Sequence, residues 1–252
     1  MDTGSGLLQT GGTEYEFFNG FGAFVNDGSE YEIVLTQEKK PPVPWINVVA
    51  NKKFGFQISE AGGGFTWAVN SRENKITPWN NDPVTDRASE VIYILDETTG
   101  TIITPMSLGR SDRGIYRVRH GIGYSRFFHE EEELAQELTV FVPLDEPIKL
   151  WLLKLTNLSD KVRYLRLSYY LEWVLGTNRE HTGPYICTGY DKEQDYFYAK
   201  NLCTFNFTDS ISFIFSSVAT QGYTGDRQEF LGPKGSIQSP RGADIKLSKN
   251  CG

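Results

Sequence analysis

Histidine and cysteine are scarce in this sequence, three of each among 252 residues. Cys187, Cys203 and Cys251 lack the paired spacing of a zinc site, and no histidine sits near a cysteine pair. The pattern argues against a structural metal. No nucleophile elbow, P-loop or paired-histidine helix is present. Positive charge is also short, with 25 basic residues against 32 acidic ones and a net charge of -7. That balance argues against nucleic acid or an anionic membrane surface as the main partner. Long apolar runs are missing, and no window reaches the ~20 residues of a membrane-spanning helix. The start, "MDTGSGLLQTGGTEYEFF", has neither the basic nor the apolar segment of an export signal. A cytoplasmic location is expected, with the sequons at Asn157 and Asn206 as chance matches.

What is abundant is strand signal. Leu165, Leu167, Tyr169, Leu171 and Trp173 alternate with Arg166, Ser168, Tyr170 and Glu172, which predicts a strand with one face in a core. Leu138, Val140 and Val142 alternate likewise, and so do Ile211, Phe213 and Phe215 between serines. "EVIYIL" and "IKLWLLKL" are more continuously apolar, as strands covered on both faces would be. Turn signals separate these runs: "NDG" at 26–28, "DETTG" at 96–100, "TNLSDK" at 156–161 and "GDRQE" at 225–229. "HEEEELAQEL" has helical character, but its continuation into "TVFVPL" favours a hairpin flank with Glu130 to Glu133 at the turn.

Many short strands with almost no helix predict an all-β fold of packed antiparallel sheets, one large supersandwich. The expected organisation is a flexible N-terminus over residues 1–13, the sandwich over 14–230 and an exit segment over 231–252.

Candidate chemistry concentrates in two polar loops. "NSRENKITPWNNDPVTD", residues 70–86, keeps Trp79 among polar neighbours with Arg72 and Asp82 nearby. An indole face packs on a pyranose while amides and carboxylates bond its hydroxyls. The alternative is an anchor pinning the loop to its own sandwich. "TNREHTGP", residues 177–184, reads as an irregular loop after a strand ending near Leu175. Arg179 offers a rigid fork of donors suited to sugar hydroxyls or phosphate, or else a structural salt bridge. His181, with no partner acid or nucleophile in view, is a poor candidate for a general base. Carboxylate pairs such as Asp145 with Glu146 read as solvated turns, and "EAGGGFTW" as a sharp backbone bend without the setting of a dinucleotide site.

Taken in order, "FFNGFGAFVNDGSEYEIVL", "PWINVVANKKFGFQISEAGGGFTWAVNSRENKITPWNNDPVTD", "RHGIGYSRF", "FVPLDEPIKL", "YLEWVLG" and "TGDRQEFLG" resemble the amino-terminal sandwich of glycoside hydrolase family 94. The likeness is to the phosphorylase-like region of cyclic β-1,2-glucan synthases and to 1,2-β-oligoglucan phosphorylases. It implies a galactose-mutarotase-like supersandwich followed by a helical linker and an (α/α)6 barrel. It further implies an inverting phosphorolysis of a β-glucan with inorganic phosphate as co-substrate and no other cofactor. The general-acid aspartate and most of the phosphate site would lie in the barrel, outside this sequence. The chain would then be an accessory wall of the sugar cleft, with the barrel, a β-linked glucan and a second copy in a homodimer as expected partners. Arg179, following Glu172-Trp173, matches the position of an acceptor-side arginine, though its spacing differs from the cellobiose-type enzymes. The resemblance thus implies that Arg179 orients a glucan and His181 shapes its loop. Two other readings stay open: a stand-alone carbohydrate-binding module, and a mutarotase-like epimerase, which the low histidine count disfavours.

Overall fold

The computed structural model describes residues 15–109, 114–204, 206–207 and 209–251. The N-terminal stretch expected to be flexible, residues 1–13, lies outside them. The strands in chain order begin with β1 (Gly22–Val25), β2 (Glu30–Leu35), β3 (Ile46–Ala50), β4 (Phe54–Ser59) and β5 (Gly64–Ala68). They continue with β6 (Glu90–Asp96), β7 (Ile102–Ile103), β8 (Tyr116–Gly121), β9 (Tyr124–Glu131) and β10 (Leu134–Phe141). Last come β11 (Leu150–Asn157), β12 (Leu165–Leu171), β13 (Ile186–Asp191), β14 (Tyr196–Asn201) and β15 (Ser212–Phe215). The helices α1 (Arg179–Thr182) and α2 (Arg227–Leu231) are single turns. This is the all-β fold that the alternation predicts.

Every strand pairing is antiparallel. A six-stranded sheet runs β1-β2-β8-β9-β10-β11, and three-stranded sheets run β12-β6-β7, β13-β14-β15 and β3-β4-β5. Tight turns set the registers. Asn26, Asp27 and Gly28 hold φ of 53°, 54° and 76° and join β1 to β2. Such left-handed backbone is what "NDG" is suited to adopt. The β9–β10 hairpin turns on Glu132 and Glu133, at φ 51° and 56°. Neither is glycine, so the paired strands, not local preference, impose that turn.

One core joins the layers. The large sheet supplies Ile33, Val118, Phe127 and Leu138, and β4 supplies Phe56 and Ile58. Strand β6 supplies Val91 to Ile94 and is buried along its whole length, as its continuous apolar run predicts. Beneath it Glu90 and Lys149 form a buried ion pair at 2.9 Å. The Tyr169 hydroxyl donates to the same carboxylate at 2.8 Å and Thr77 to its other oxygen at 3.1 Å. Burial raises the carboxyl, but Lys149 and the hydroxyls of Thr66 and Tyr169 outweigh it and hold Glu90 below the usual carboxylate range.

Several expectations from the sequence are corrected. Strand β11, read as covered on both faces, is an edge strand with Leu152 65% exposed, because the six-stranded sheet ends there. On β15 the alternating Phe213 and Phe215 face outward, leaving an apolar row open on an edge strand. Strand β12 stops at Leu171; Leu165 and Tyr169 of its predicted face pack on the core, but Leu167 is exposed and Tyr170 on the opposite face is buried as well. The cause is α2, whose Phe230 stacks on the Tyr170 ring at 5.1 Å. "GDRQE" is accordingly the start of a helix: the Asp226 side chain caps α2 by accepting from the Gln228 N–H at 2.7 Å. Residues after 231 also reach the core, where Ile237 and Ala243 are buried and the Tyr93 hydroxyl donates to the Ile237 carbonyl.

Candidate functional site

The glycine run closing β4 onto β5 places the first wall of the site. Gly64 stands at φ +143°, and a β-carbon at that position would collide with the Gln57 carbonyl. Gly63 is similarly crowded by Asp86, whose carboxylate bonds the Ser59 hydroxyl. Asp86 thereby ties the 79–89 loop to the sandwich. Nearby Glu60 accepts the Trp45 backbone N–H at 2.7 Å and is buried. Burial pushes its carboxyl up to about 7 despite that hydrogen bond, and the Asp86 charge adds to the rise.

Farther along the loop, Trp79 stacks on Phe65 at 5.4 Å with the ring planes 29° apart. The anchor reading of Trp79 is therefore part of its role. It also lines a cleft of about 150 Å³ together with Asn80, Arg87, Glu172, Asn178 and Arg179. Trp79 and Arg179 belong to two loops far apart in sequence, and the fold makes them walls of one cavity. This cleft is smaller than the roughly 300–1,000 Å³ of a self-sufficient small-molecule site. It is the size of a wall or subsite, not an enclosing pocket.

The opposite wall is built on Glu172, just past β12. The Arg179 guanidinium donates to one of its oxygens at 2.7 Å. On the other oxygen, the Tyr170 hydroxyl donates at 2.7 Å and Arg227 Nε at 3.1 Å. Arg87 approaches that second oxygen at 3.5 Å. Burial raises the carboxyl of Glu172, but the Tyr170 hydroxyl, Arg179 and Arg227 together hold it below the usual range. Glu172 is thus a fixed anion and a poor proton donor. The residues after Gly176, read as an irregular loop, form α1. The Asn178 side chain caps it by accepting the His181 N–H at 3.0 Å, and the Thr182 hydroxyl bonds the Asn178 carbonyl at 2.9 Å. Arg179 sits at the first position of that turn, fixed from behind by Glu172.

The remaining predicted site residues lie elsewhere. His181 is exposed, does not line the cleft, and contributes its backbone N–H to the cap. Asp82 is exposed and closes its own turn, accepting from the Thr85 hydroxyl at 2.7 Å and the Val84 N–H at 2.9 Å. The Thr85 hydroxyl, followed by the two backbone donors, holds its carboxyl below the usual value. Arg72 is exposed and pairs with Glu73 at 3.3 Å. Conversely, Arg87, Asn80 and Asn178 line the cleft without having been singled out in the sequence. Glu172 was not singled out either, although an acid closing the β12 alternation was a signal that could have found it; for Arg87 no sequence signal existed.

An all-β supersandwich with a polar cleft between two of its loops is the class that the geometry defines. Residues 29–252 match the family model of the glycosyl hydrolase 94 supersandwich domain, and the chain belongs to that family. It is 39% identical over 235 residues to the cyclic beta-(1,2)-glucan synthase NdvB of Rhizobium meliloti (strain 1021), covering 93% of this chain and 8% of that protein. It is 28% identical over 227 residues to the N,N'-diacetylchitobiose phosphorylase of Vibrio furnissii, covering 84% of this chain and 27% of the other. The solabiose phosphorylase of Paenibacillus borealis is 28% identical over 230 residues, covering 88% and 29% respectively. The chain therefore spans less than a third of the length of each of these relatives.

Proposed function

We propose that this chain is the accessory sandwich of a β-glucan phosphorylase or cyclic β-1,2-glucan synthase type of enzyme, supplying one wall of a sugar cleft and no proton donor. The observation carrying the reading is the meeting of Trp79 and Arg179 in one cleft. An indole edge and face, a fixed guanidinium and the amides of Asn80 and Asn178 suit the apolar and hydroxyl surfaces of a pyranose. The one carboxylate fixed at the cleft wall, Glu172, is held ionised by its partners, which suits positioning and not acid catalysis. The small volume favours a wall over a complete binding module. A β-linked glucan and the catalytic barrel of a longer enzyme are the partners, inorganic phosphate is that enzyme's co-substrate, and a homodimer is compatible with the open apolar edges. No helix of the described residues is long and apolar enough to cross a membrane. A cytoplasmic placement belongs to the same proposal.

Titration of the chain with short β-1,2-glucans tests the proposal. Weak binding, reduced by both Trp79→Ala and Arg179→Ala, is expected. Binding that neither variant alters removes the cleft from the account. Incubation with glucan and phosphate is expected to give no glucose 1-phosphate, and release by this chain alone would contradict the accessory role.

A further inference from the structure

The sheet β13-β14-β15 has one covered face and one open face. On the covered side Tyr190 and Phe197 pack against Tyr223 with ring centres 4.1 and 6.0 Å away, and Ala199 and Asn201 are buried. On the other side the registers set Tyr198 opposite both Gly189 and Phe213, and Tyr196 opposite Phe215. Phe213 and Phe215 are 56% and 63% exposed, and both tyrosines are half-buried. The Tyr198 ring lies across Gly189, where a β-carbon would collide with it, so the bare glycine seats the ring on the sheet. Tyr196 stands 5.9 Å from Tyr198 and 6.1 Å from Phe213, ring centre to ring centre. Neither of these two hydroxyls has a hydrogen-bond partner among the described residues. Charge is confined to the ends of the array. Lys200 approaches the Tyr198 ring to 5.8 Å at one end. At the other, the Asp191 carboxylate is turned to the Glu193 and Gln194 N–H groups at 2.9 and 3.0 Å.

We propose that this open face is a second site for an uncharged β-linked glucan, with pyranoses lying against Tyr198, Phe213 and Phe215. The choice of a glucan rests on the proposed function, but none of these rings lines the cleft. Aromatic faces match the apolar face of a pyranose, and two free phenol hydroxyls can bond its rim. The uncharged centre matches a neutral polymer. Area decides against a second copy of the chain. An aromatic side chain spans about 150–250 Å², so the four rings offer roughly 350 Å², under half of the ~800 Å² per partner of a stable protein interface. Pairing two β15 edges would also leave Tyr196 and Tyr198, on β14, uncovered. The array is joined rigidly to the cleft wall. From Arg179 the chain passes through the turn Gly183–Tyr185 directly into β13. The Asn201 amide donates to the Leu175 carbonyl at 2.8 Å, and the Leu202 N–H to the Tyr185 carbonyl at 2.9 Å.

Native gels cast with soluble linear β-1,2-glucan test the site, since retardation reads binding at either place. Three proteins are compared: wild type, Phe213→Ser with Phe215→Ser, and Trp79→Ala with Arg179→Ala. Both phenylalanines are exposed, so their double variant should melt at the wild-type temperature. Its affinity should fall about tenfold, the loss of two stacking surfaces. The cleft variant should keep part of the wild-type retardation. Wild-type affinity in the phenylalanine variant, or a wild type that is not retarded, overturns the proposal. Retardation lost in the cleft variant alone overturns it while leaving the cleft reading intact. Retardation lost in the phenylalanine variant alone removes the cleft and keeps this site. A dimer in sedimentation that the phenylalanine variant dissociates and glucan does not would give the face to a second copy, and would also overturn the proposal.

Discussion

Replacing Glu60 with glutamine tests how the glycine turn under the cleft is stabilised. In the folded chain this carboxyl is pushed up to about 7, mainly by burial, from its ordinary value of 4.5. The folded state therefore holds a proton that the unfolded state releases between about pH 4.5 and 7, and stability from this group is fully present below that window. It is lost as pH rises through it. The gap between 4.5 and about 7, at about 1.4 kcal/mol for each tenfold change in proton affinity, sets the loss at about 3 kcal/mol by pH 8. Glu60→Gln keeps an acceptor for the Trp45 N–H, 2.7 Å away in the native chain, and cannot ionise. The variant should gain on wild type with rising pH, by up to about 3 kcal/mol between pH 4 and pH 8. Urea unfolding followed by tryptophan fluorescence at a series of pH values reads the difference. Other titrating groups, Asp86 foremost, act in both proteins and largely cancel. Parallel pH profiles for the two proteins would refute the assignment of a raised carboxyl to this position.

Other substitutions test the frame around the site. Lys149→Met strands Glu90 in the core without its cation, and a loss of about 3–5 kcal/mol is expected in chemical denaturation; adding Glu90→Leu should recover part of it. Gly64→Ala, at φ +143° against the Gln57 carbonyl, should cost at least about 1–3 kcal/mol, seen as a lowered melting temperature. Phe213→Ser on the open row of β15 should change stability by no more than about 0.5 kcal/mol while raising solubility, since the ring is 56% exposed. A large destabilisation there would mean that the row is covered in solution.

Local chemistry made much of the fold readable. "NDG" at 26–28 and the acidic run at 130–133 fall at hairpin turns, and "EVIYIL" is the strand buried on both faces. The same period-two pattern misled at β11 and β15. Alternation shows that a strand has an apolar face, but not whether another layer lies over it. Neither single-turn helix could be read, because four or five residues are too few for a 3.6-residue period to emerge. At the site, Trp79 and Arg179 stood out as a tryptophan and an arginine in polar loops. Their meeting could not be read, because it depends on how the 79–89 loop is tied down through Asp86 and how β12 delivers Glu172. Arg87 had no local signature, since its place is set by that packing alone. Asp82 and Arg72 attracted notice by composition, yet their bonds are to near neighbours, which is the usual fate of polar loop residues.

The most direct measurement is a crystal of this chain soaked with a short β-1,2-glucan. The account requires a pyranose lying against Trp79, with hydroxyls within hydrogen-bond reach of Arg179 and Asn178. A sugar bound at another surface, with the Trp79 cleft empty, would contradict it.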